Sequence, residues 1–136
     1  MEEKKQKDRE PEETVVLCGA NSYRQKYYFN EKFNRLPESI RQELQIMCVM
    51  FTEDIGGVLI LEFTPDGSLE FKVEADDNDY LFDEIGSGLK IRQYQREKRE
   101  LLEGLEMYYR IAFLGMSSSE ALAAAGLSEG EDQDEA

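Results

Sequence analysis

A turn flanked by two apolar segments is the feature that most restricts the fold of this chain. The sequence Thr-Pro-Asp-Gly occupies positions 64–67, in the middle of the segment 57–75. Proline at the second position of a type I turn, followed by a glycine that tolerates a positive φ, is typical of a three-residue hairpin loop with a bulge. The loop therefore predicts a central β-hairpin with strands at 57–64 and 69–75.

The hydrophobic pattern predicts the register of this hairpin. If Thr64 lies opposite Ser68, the apolar side chains of both strands share one face and most charged side chains share the other. A two-residue loop would instead place Leu61 opposite Lys72 and divide the apolar face. We therefore expect an antiparallel sheet whose buried face carries Leu59, Leu61, Phe63, Leu69, Phe71 and Val73.

Two more elements are predicted on the N-terminal side of the hairpin. Apolar residues recur at helical spacing after Pro37, a residue that suits the first turn of a helix, so we expect a helix over 37–53. Aromatic residues favour a third strand near 23–30, beside the hairpin. The apolar run that begins at Val15 is interpreted as a short segment stopped by Gly19.

The C-terminal side of the hairpin predicts helices. A second apolar stripe favours a long C-terminal helix over about 89–114, preceded by helical structure from about Asp79. Ser117 followed by Glu120 is a capping-box pattern and predicts a short helix after it. Together these elements indicate an α+β fold, a small antiparallel sheet packed with helices.

Composition separates the ends of the chain from its middle. Residues 1–13 are rich in charge and almost free of apolar side chains, and the chain ends with SEGEDQDEA. Segments of this kind bury too little apolar surface to offset the entropy of ordering. We expect a disordered charged tail at 1–13, a single α+β domain at 14–115, and a short helix with a disordered acidic tail at 116–136.

The chain contains no histidine, and this excludes several kinds of active site. Neither a Cys-His nor a Ser-His-Asp nucleophile can form, and histidine-containing zinc sites are impossible. Cys18 and Cys48 lie too far apart in sequence for a CxxC pair, and Cys48 falls within an apolar helix stripe, as a small buried hydrophobic residue would. In a cytosolic protein both are expected to be reduced thiols. The acidic run at 76–79 fails the EF-hand spacing in both registers. We expect no metal site, no cofactor and no catalytic residues.

Charge limits the classes of partner. The formal net charge is −14, which opposes binding to nucleic acid or to anionic membranes. The N-terminus lacks the apolar core of a secretory signal, and no apolar run approaches the roughly 20 residues of a membrane span. We therefore expect a cytoplasmic protein that binds neither nucleic acid nor membrane.

Polar and aromatic side chains are concentrated between Cys18 and Asn30. This segment combines a thiol with tyrosines, cations and an amide, a set that could hold a small ligand if the side chains converge on a pocket. The candidate ligand or partner site consists of Asn21, Tyr23, Arg24, Lys26 and Tyr28.

A heptad-like stripe on the predicted long helix is the second candidate. Its spacing of three and four residues is sufficient for a coiled-coil seam, although the same face could pack on the hairpin of its own chain. The candidate interface consists of Ile91, Tyr94, Lys98, Leu101, Leu105 and Tyr108.

Four segments carry a resemblance to known sequences. They read LCGANSYRQKYYFNEKFNRLPESI, MFTEDIGGVL, FTPDGSLEF and LKIRQYQREKRELLEGLEMYYRIAFL. They resemble a family of small, uncharacterised cytosolic proteins, a domain of unknown function, from anaerobic Clostridia-type bacteria. The resemblance spans about residues 14–115 and implies no activity and no site residues.

These observations favour a non-enzymatic role. We expect a small acidic protein-interaction module, self-associating or chaperone-like, whose partner is an unknown protein or a second copy of the chain. The alternative is a small-ligand binder or an enzyme that uses the cluster at 18–30.

Overall fold

Four strands and four α-helices follow one another in the part of the chain that the structure, a computed structural model, describes: residues 13–126. The predicted α+β class is confirmed. In chain order the elements are β1 (Val15–Asn21), β2 (Lys26–Phe29), a 3-10 turn (Glu31–Phe33), α1 (Glu38–Ile55), β3 (Val58–Phe63), β4 (Leu69–Glu74), α2 (Glu84–Glu97), α3 (Arg99–Ala112) and α4 (Ser118–Ala124).

The strands form one antiparallel sheet in the order β2-β1-β3-β4. The strand predicted near 23–30 is confirmed as β2, with Cys18 of β1 opposite Phe29 and Gly19 opposite Tyr28. Its predicted place beside the hairpin is wrong, because β1 lies between β2 and β3.

Gly19 explains why the sequence pattern missed β1. Glycine usually weakens a strand, but it also allows another backbone to approach closely. A Cβ atom at Gly19 would lie 2.7 Å from the Leu59 carbonyl oxygen. The residue interpreted as the end of an apolar run is therefore the point where β1 passes closest to β3, and the strand continues to Asn21.

The central hairpin forms as the turn chemistry predicts. The Thr64 amide donates to the Ser68 carbonyl at 2.8 Å, and the Gly67 amide donates to the Thr64 carbonyl at 2.9 Å. Gly67 has a φ of +93°, a backbone angle that residues with a side chain rarely adopt. The predicted opposition of Thr64 and Ser68 is thus confirmed at the tip of the hairpin.

The helices differ from the prediction at one place. The helix expected over 37–53 is confirmed as α1, but the single long helix expected over about 89–114 is wrong. The helical structure expected from about Asp79 begins only at Glu84, and the helix is interrupted at Lys98, whose φ and ψ are −107° and 25°. The buried positions do not follow one continuous stripe across the interruption. Tyr94 is buried in α2, whereas Leu102, Leu105 and Tyr109 are buried in α3.

The described residues group into two compact units. One contains Val15–Glu62 and Glu70–Arg99, and its core lies between the sheet and α1, with Leu17, Cys18, Leu44, Met47, Cys48, Phe51, Leu59 and Leu61 all buried. The prediction of a single domain over 14–115 stays a prediction.

The second unit contains Phe63–Leu69 and residues 100–126. Here α3 holds the tip of the hairpin. The Phe63 and Tyr109 rings stack with centroids 4.2 Å apart, the Leu69 amide donates to Glu106 Oε2 at 2.7 Å, and Arg110 Nε donates to the Asp66 carbonyl at 3.0 Å. Glu106 and Arg110 are one helical turn apart, so a single face of α3 binds both sides of the loop.

The short helix predicted after Ser117 is confirmed as α4, and the Ser117–Glu120 capping box is present. The tails predicted to be disordered lie outside the described residues, apart from Glu13. Between residues 13 and 126 we find no helix with the length and apolarity that crossing a bilayer requires.

Candidate functional site

The two cysteines meet in the core beneath the segment 18–30. Cys18 of β1 and Cys48 of α1 are fully buried, with their Sγ atoms 3.8 Å apart. Contact with Cys18 and burial both raise the pKa of the Cys48 thiol. A thiol is nucleophilic only as thiolate, so the raised pKa of Cys48 suits this buried side chain to packing. Among the described residues, no group of three or more acidic or cysteine side chains is arranged to hold a metal ion.

Tyr27 lies over the same thiols. Its hydroxyl is buried and has no hydrogen-bond partner of good geometry among the described residues. Burial, together with the neighbouring Cys18 and Cys48, raises the pKa of Tyr27 well above its ordinary value. The phenol is therefore held in its neutral form in a poorly satisfied environment, which costs stability.

We expect Tyr27→Phe to raise the free energy of unfolding by about 1 kcal/mol, because it removes a buried hydroxyl that lacks a partner. The pKa of Tyr27 is raised in the folded state, so the unfolded state ionises first and native stability falls as pH rises above about 10. The variant should lose stability less steeply in that range. Urea denaturation between pH 7 and pH 11 measures both effects.

Tyr28→Phe is the matched control. It removes the same hydroxyl group as Tyr27→Phe, but from an exposed side chain. It should leave the free energy of unfolding at pH 7 unchanged. A Tyr27→Phe protein less stable than the parent would show that the hydroxyl makes a hydrogen bond worth keeping.

Asn21 shapes the turn between β1 and β2. Its Oδ1 atom accepts hydrogen bonds from the backbone amides of Tyr23 at 2.9 Å and Arg24 at 3.2 Å. The turn also places Gln25 at a φ of +54°. Because the Asn21 oxygen is occupied by these two amides, its main role is to hold the turn.

The Tyr23 side chain does not lie with the other members of the predicted site. Its hydroxyl donates to Asp79 Oδ2 at 2.6 Å and accepts from the Asp76 amide at 3.1 Å. The hydrogen bond to Asp79 raises the pKa of Tyr23. Tyr23 therefore ties the β1–β2 turn to the loop that precedes α2.

Three of the predicted site residues, Arg24, Lys26 and Tyr28, do share a groove with Asn21. The groove has a volume of about 630 Å³ and is otherwise lined mainly by β1 and by Val58, Leu59 and Ile60 of β3. Asn21 and Lys26 also border a second cavity of about 560 Å³, which Gln45, Thr52 and Glu53 of α1 line on its other side.

The predicted interface stripe is divided between the two helices. In α2, the Tyr94 ring lies 6.4 Å from Phe51 and Lys98 Nζ lies 3.0 Å from Glu43 Oε2, so these side chains pack on α1. Ile91, Leu101 and Tyr108 are half-buried, and Leu105 is buried. The stripe thus serves largely as packing within the chain.

The opposite side of α2 is exposed and apolar. The solvent-exposed fractions are 87% for Tyr80, 93% for Leu81, 78% for Ile85 and 57% for Leu89. Leu81, Ile85 and Leu89 follow a spacing of four residues, which places Ile85 and Leu89 on one face of the helix. Arg92 and Arg96 extend this face toward the C-terminus. We refer to Leu81, Ile85, Leu89, Arg92 and Arg96 as the α2 outer face.

A family of unknown function, DUF6145, matches residues 14–117 of the chain. The chain belongs to this family. Comparison with curated proteins and with solved structures finds no match to the chain. The DUF6145 match covers nearly the same residues as the resemblance noted from the sequence, and it brings no activity with it.

Sequence reasoning missed the outer face of this DUF6145 chain because it assigned residues 76–84 by their charges. The signal was present in the spacing of Leu81, Ile85 and Leu89, which lie opposite Tyr94 on a helical projection. Only the packing of Tyr94 on Phe51 shows which of the two apolar sides of α2 is left uncovered.

Proposed function

We propose that this chain is a non-enzymatic, cytoplasmic protein-interaction module that self-associates through the α2 outer face. The observation that carries the proposal is the exposure of Ile85 and Leu89 on one face of α2, with Leu81 exposed just before the helix. Contiguous exposed apolar side chains of this size are characteristic of contact surfaces, whereas isolated ones are not.

The charges on this face favour a second copy of the chain as the partner. Asp83 and Glu84 lie at the N-terminal end of α2, and Arg92 and Arg96 lie toward its C-terminal end. Neither arginine has an ion-pair partner within residues 13–126. Two copies related by a twofold axis would place their α2 helices antiparallel, so that the apolar centres meet and each acidic end faces a basic end.

Gly88 lies within the same face. A Cβ atom there would meet only Arg92 Nη1, at 4.0 Å, so packing within the chain does not require glycine. Gly86 is different, because a side chain at that position would overlap the Asp83 carboxylate that caps α2. A glycine at the edge of the face leaves room for a partner helix on that side.

Sedimentation velocity tests the proposal. The wild-type chain should sediment at twice its single-chain mass of 15.7 kDa as concentration rises. The double variant Ile85→Ser/Leu89→Ser should raise the dimer dissociation constant at least about a hundredfold, since each buried side chain contributes roughly 1.5–3 kcal/mol. Ile46→Ser/Met50→Ser is the matched control: it changes two exposed apolar side chains of α1 that are 60% and 49% exposed.

Charge reversal tests the antiparallel arrangement. Arg96→Glu should weaken the dimer, and Glu84→Arg/Arg96→Glu should restore it, because each acidic end then faces a basic end again. A strictly monomeric wild type up to about 1 mM, the dissociation constant of a very weak complex, would overturn the proposal. Equal weakening by the α1 control would also overturn it, because the effect would then not depend on the α2 outer face.

A further inference from the structure

The groove beside the β1–β2 turn has an apolar floor, and the residues that line it are different from those of the α2 outer face. Cys18 and Tyr27 turn their side chains toward α1, so the alternation along each strand turns Gly19 and Tyr28 to the other face. Val16, Tyr28, Val58 and Ile60 line this groove, and Gly19 lies in its floor beside Tyr28, its partner in the sheet.

Gly19 gives the floor its depth. It carries no side chain, and the Ile60 Cγ1 atom lies 3.7 Å from the position where its Cβ would be. The volume of about 630 Å³ lies within the range of roughly 300–1,000 Å³ that is usual for small-molecule sites. Because the floor is apolar, it favours an apolar ligand body.

One end of the groove is cationic. Arg24 and Lys26 flank the turn, and both are exposed and without an ion-pair partner among residues 13–126. Among the side chains of the described part of the chain, none of those that line the groove is acidic. Because Arg24 and Lys26 are cationic, this end of the groove favours an anionic group of a ligand.

We propose that this groove binds a monomeric single-chain amphipathic anion, such as a fatty carboxylate. The hydrocarbon chain lies over Gly19 between Tyr28 and Ile60, and the carboxylate meets Arg24 and Lys26 at the turn. Guanidinium and ammonium groups make charge-assisted hydrogen bonds to carboxylates, and these set the orientation. A free ligand is favoured over an anionic bilayer because the net charge of −14 repels such a surface.

Isothermal titration calorimetry with dodecanoate below its micelle concentration tests this site. Dodecanoate should bind with one-to-one stoichiometry, while butyrate, which lacks the long chain, and dodecyltrimethylammonium, which reverses the head charge, should not. Arg24→Gln/Lys26→Gln should weaken binding at least about tenfold, the loss expected for one charge-assisted hydrogen bond. Lys32→Gln/Arg35→Gln removes the same charge from other exposed positions and should change affinity less than about twofold.

Backbone NMR on the wild-type chain supplies an independent readout, with shifts expected at Val16, Gly19, Tyr28 and Ile60. Absence of dodecanoate binding would overturn the inference, as would equal affinity for dodecyltrimethylammonium. If the protein co-sedimented with phosphatidylglycerol vesicles but did not bind monomeric dodecanoate, the surface would be a membrane-binding surface, and the inference would be overturned. None of these results depends on dimer formation, because Ile85→Ser/Leu89→Ser leaves the groove intact and should bind dodecanoate as the wild type does.

Discussion

Replacing Gly67 with alanine is expected to lower the free energy of unfolding by about 3 kcal/mol, from two additive causes. The φ of +93° is unfavourable for any residue with a Cβ. In addition, the new Cβ would lie 2.6 Å from Arg110 Cγ and 2.7 Å from Arg110 Nε. Arg110 is only 2% exposed and donates to the Asp66 carbonyl, so it cannot swing into solvent without breaking its contact with the loop.

Gly115→Ala separates the two causes. Gly115 has a φ of +74°, but nothing lies within 4 Å of the position of its Cβ. This variant should therefore lose only about 1–2 kcal/mol, the cost of the left-handed backbone. Chemical denaturation of both variants gives the difference, and equal losses would mean that Arg110 yields freely and does not clamp the hairpin.

The second large effect is expected at Gly19, where alanine should destabilise the fold by about 3 kcal/mol. The obstacle here is a backbone atom, the Leu59 carbonyl oxygen, 2.7 Å from the position of the Cβ. A flexible side chain could rotate away, but a carbonyl can move only if β1 and β3 separate, and that weakens the hydrogen bonds of two central strands.

Gly104→Ala is the control for the second prediction. It makes the same chemical change within α3, at a position where the Cβ meets nothing within 4 Å. Because alanine is the better helix former, Gly104→Ala should raise the free energy of unfolding by about 0.5–1 kcal/mol. If Gly19→Ala proved as stable as the parent, the close approach of β1 and β3 would be wrong.

Local signals predicted the elements that depend on neighbouring residues. The hairpin follows from the Thr-Pro-Asp-Gly turn, whose backbone preferences and flanking alternation agree on one register. The short helix α4 follows from the Ser117–Glu120 capping box. In each case the deciding interactions span only a few residues, so the sequence pattern contains them.

Predictions that depended on distant contacts were less complete. Gly19 has the local signature of a stop, and only the Leu59 carbonyl opposite it explains why β1 continues. The sequence pattern around Lys98 predicts an uninterrupted helix, yet the helix is interrupted there. The Lys98 side chain forms an ion pair with Glu43, in a distant segment of the chain. The candidate site shows the same division. Asn21 forms its hydrogen bonds within its own turn, whereas the Tyr23 hydroxyl donates to Asp79, fifty-six residues away in sequence.

The sequence by itself determined the fold class, the hairpin and its register, and, through the absence of histidine, the kinds of active site that cannot exist in this chain. The tertiary structure alone decided the order of the strands, which side of α2 is covered, and which members of the segment 18–30 share a groove. The physical reason is the distance along the chain over which each kind of interaction acts. Turn preferences, caps and alternation act between residues close in sequence, but the exposure of a side chain depends on everything that packs against it.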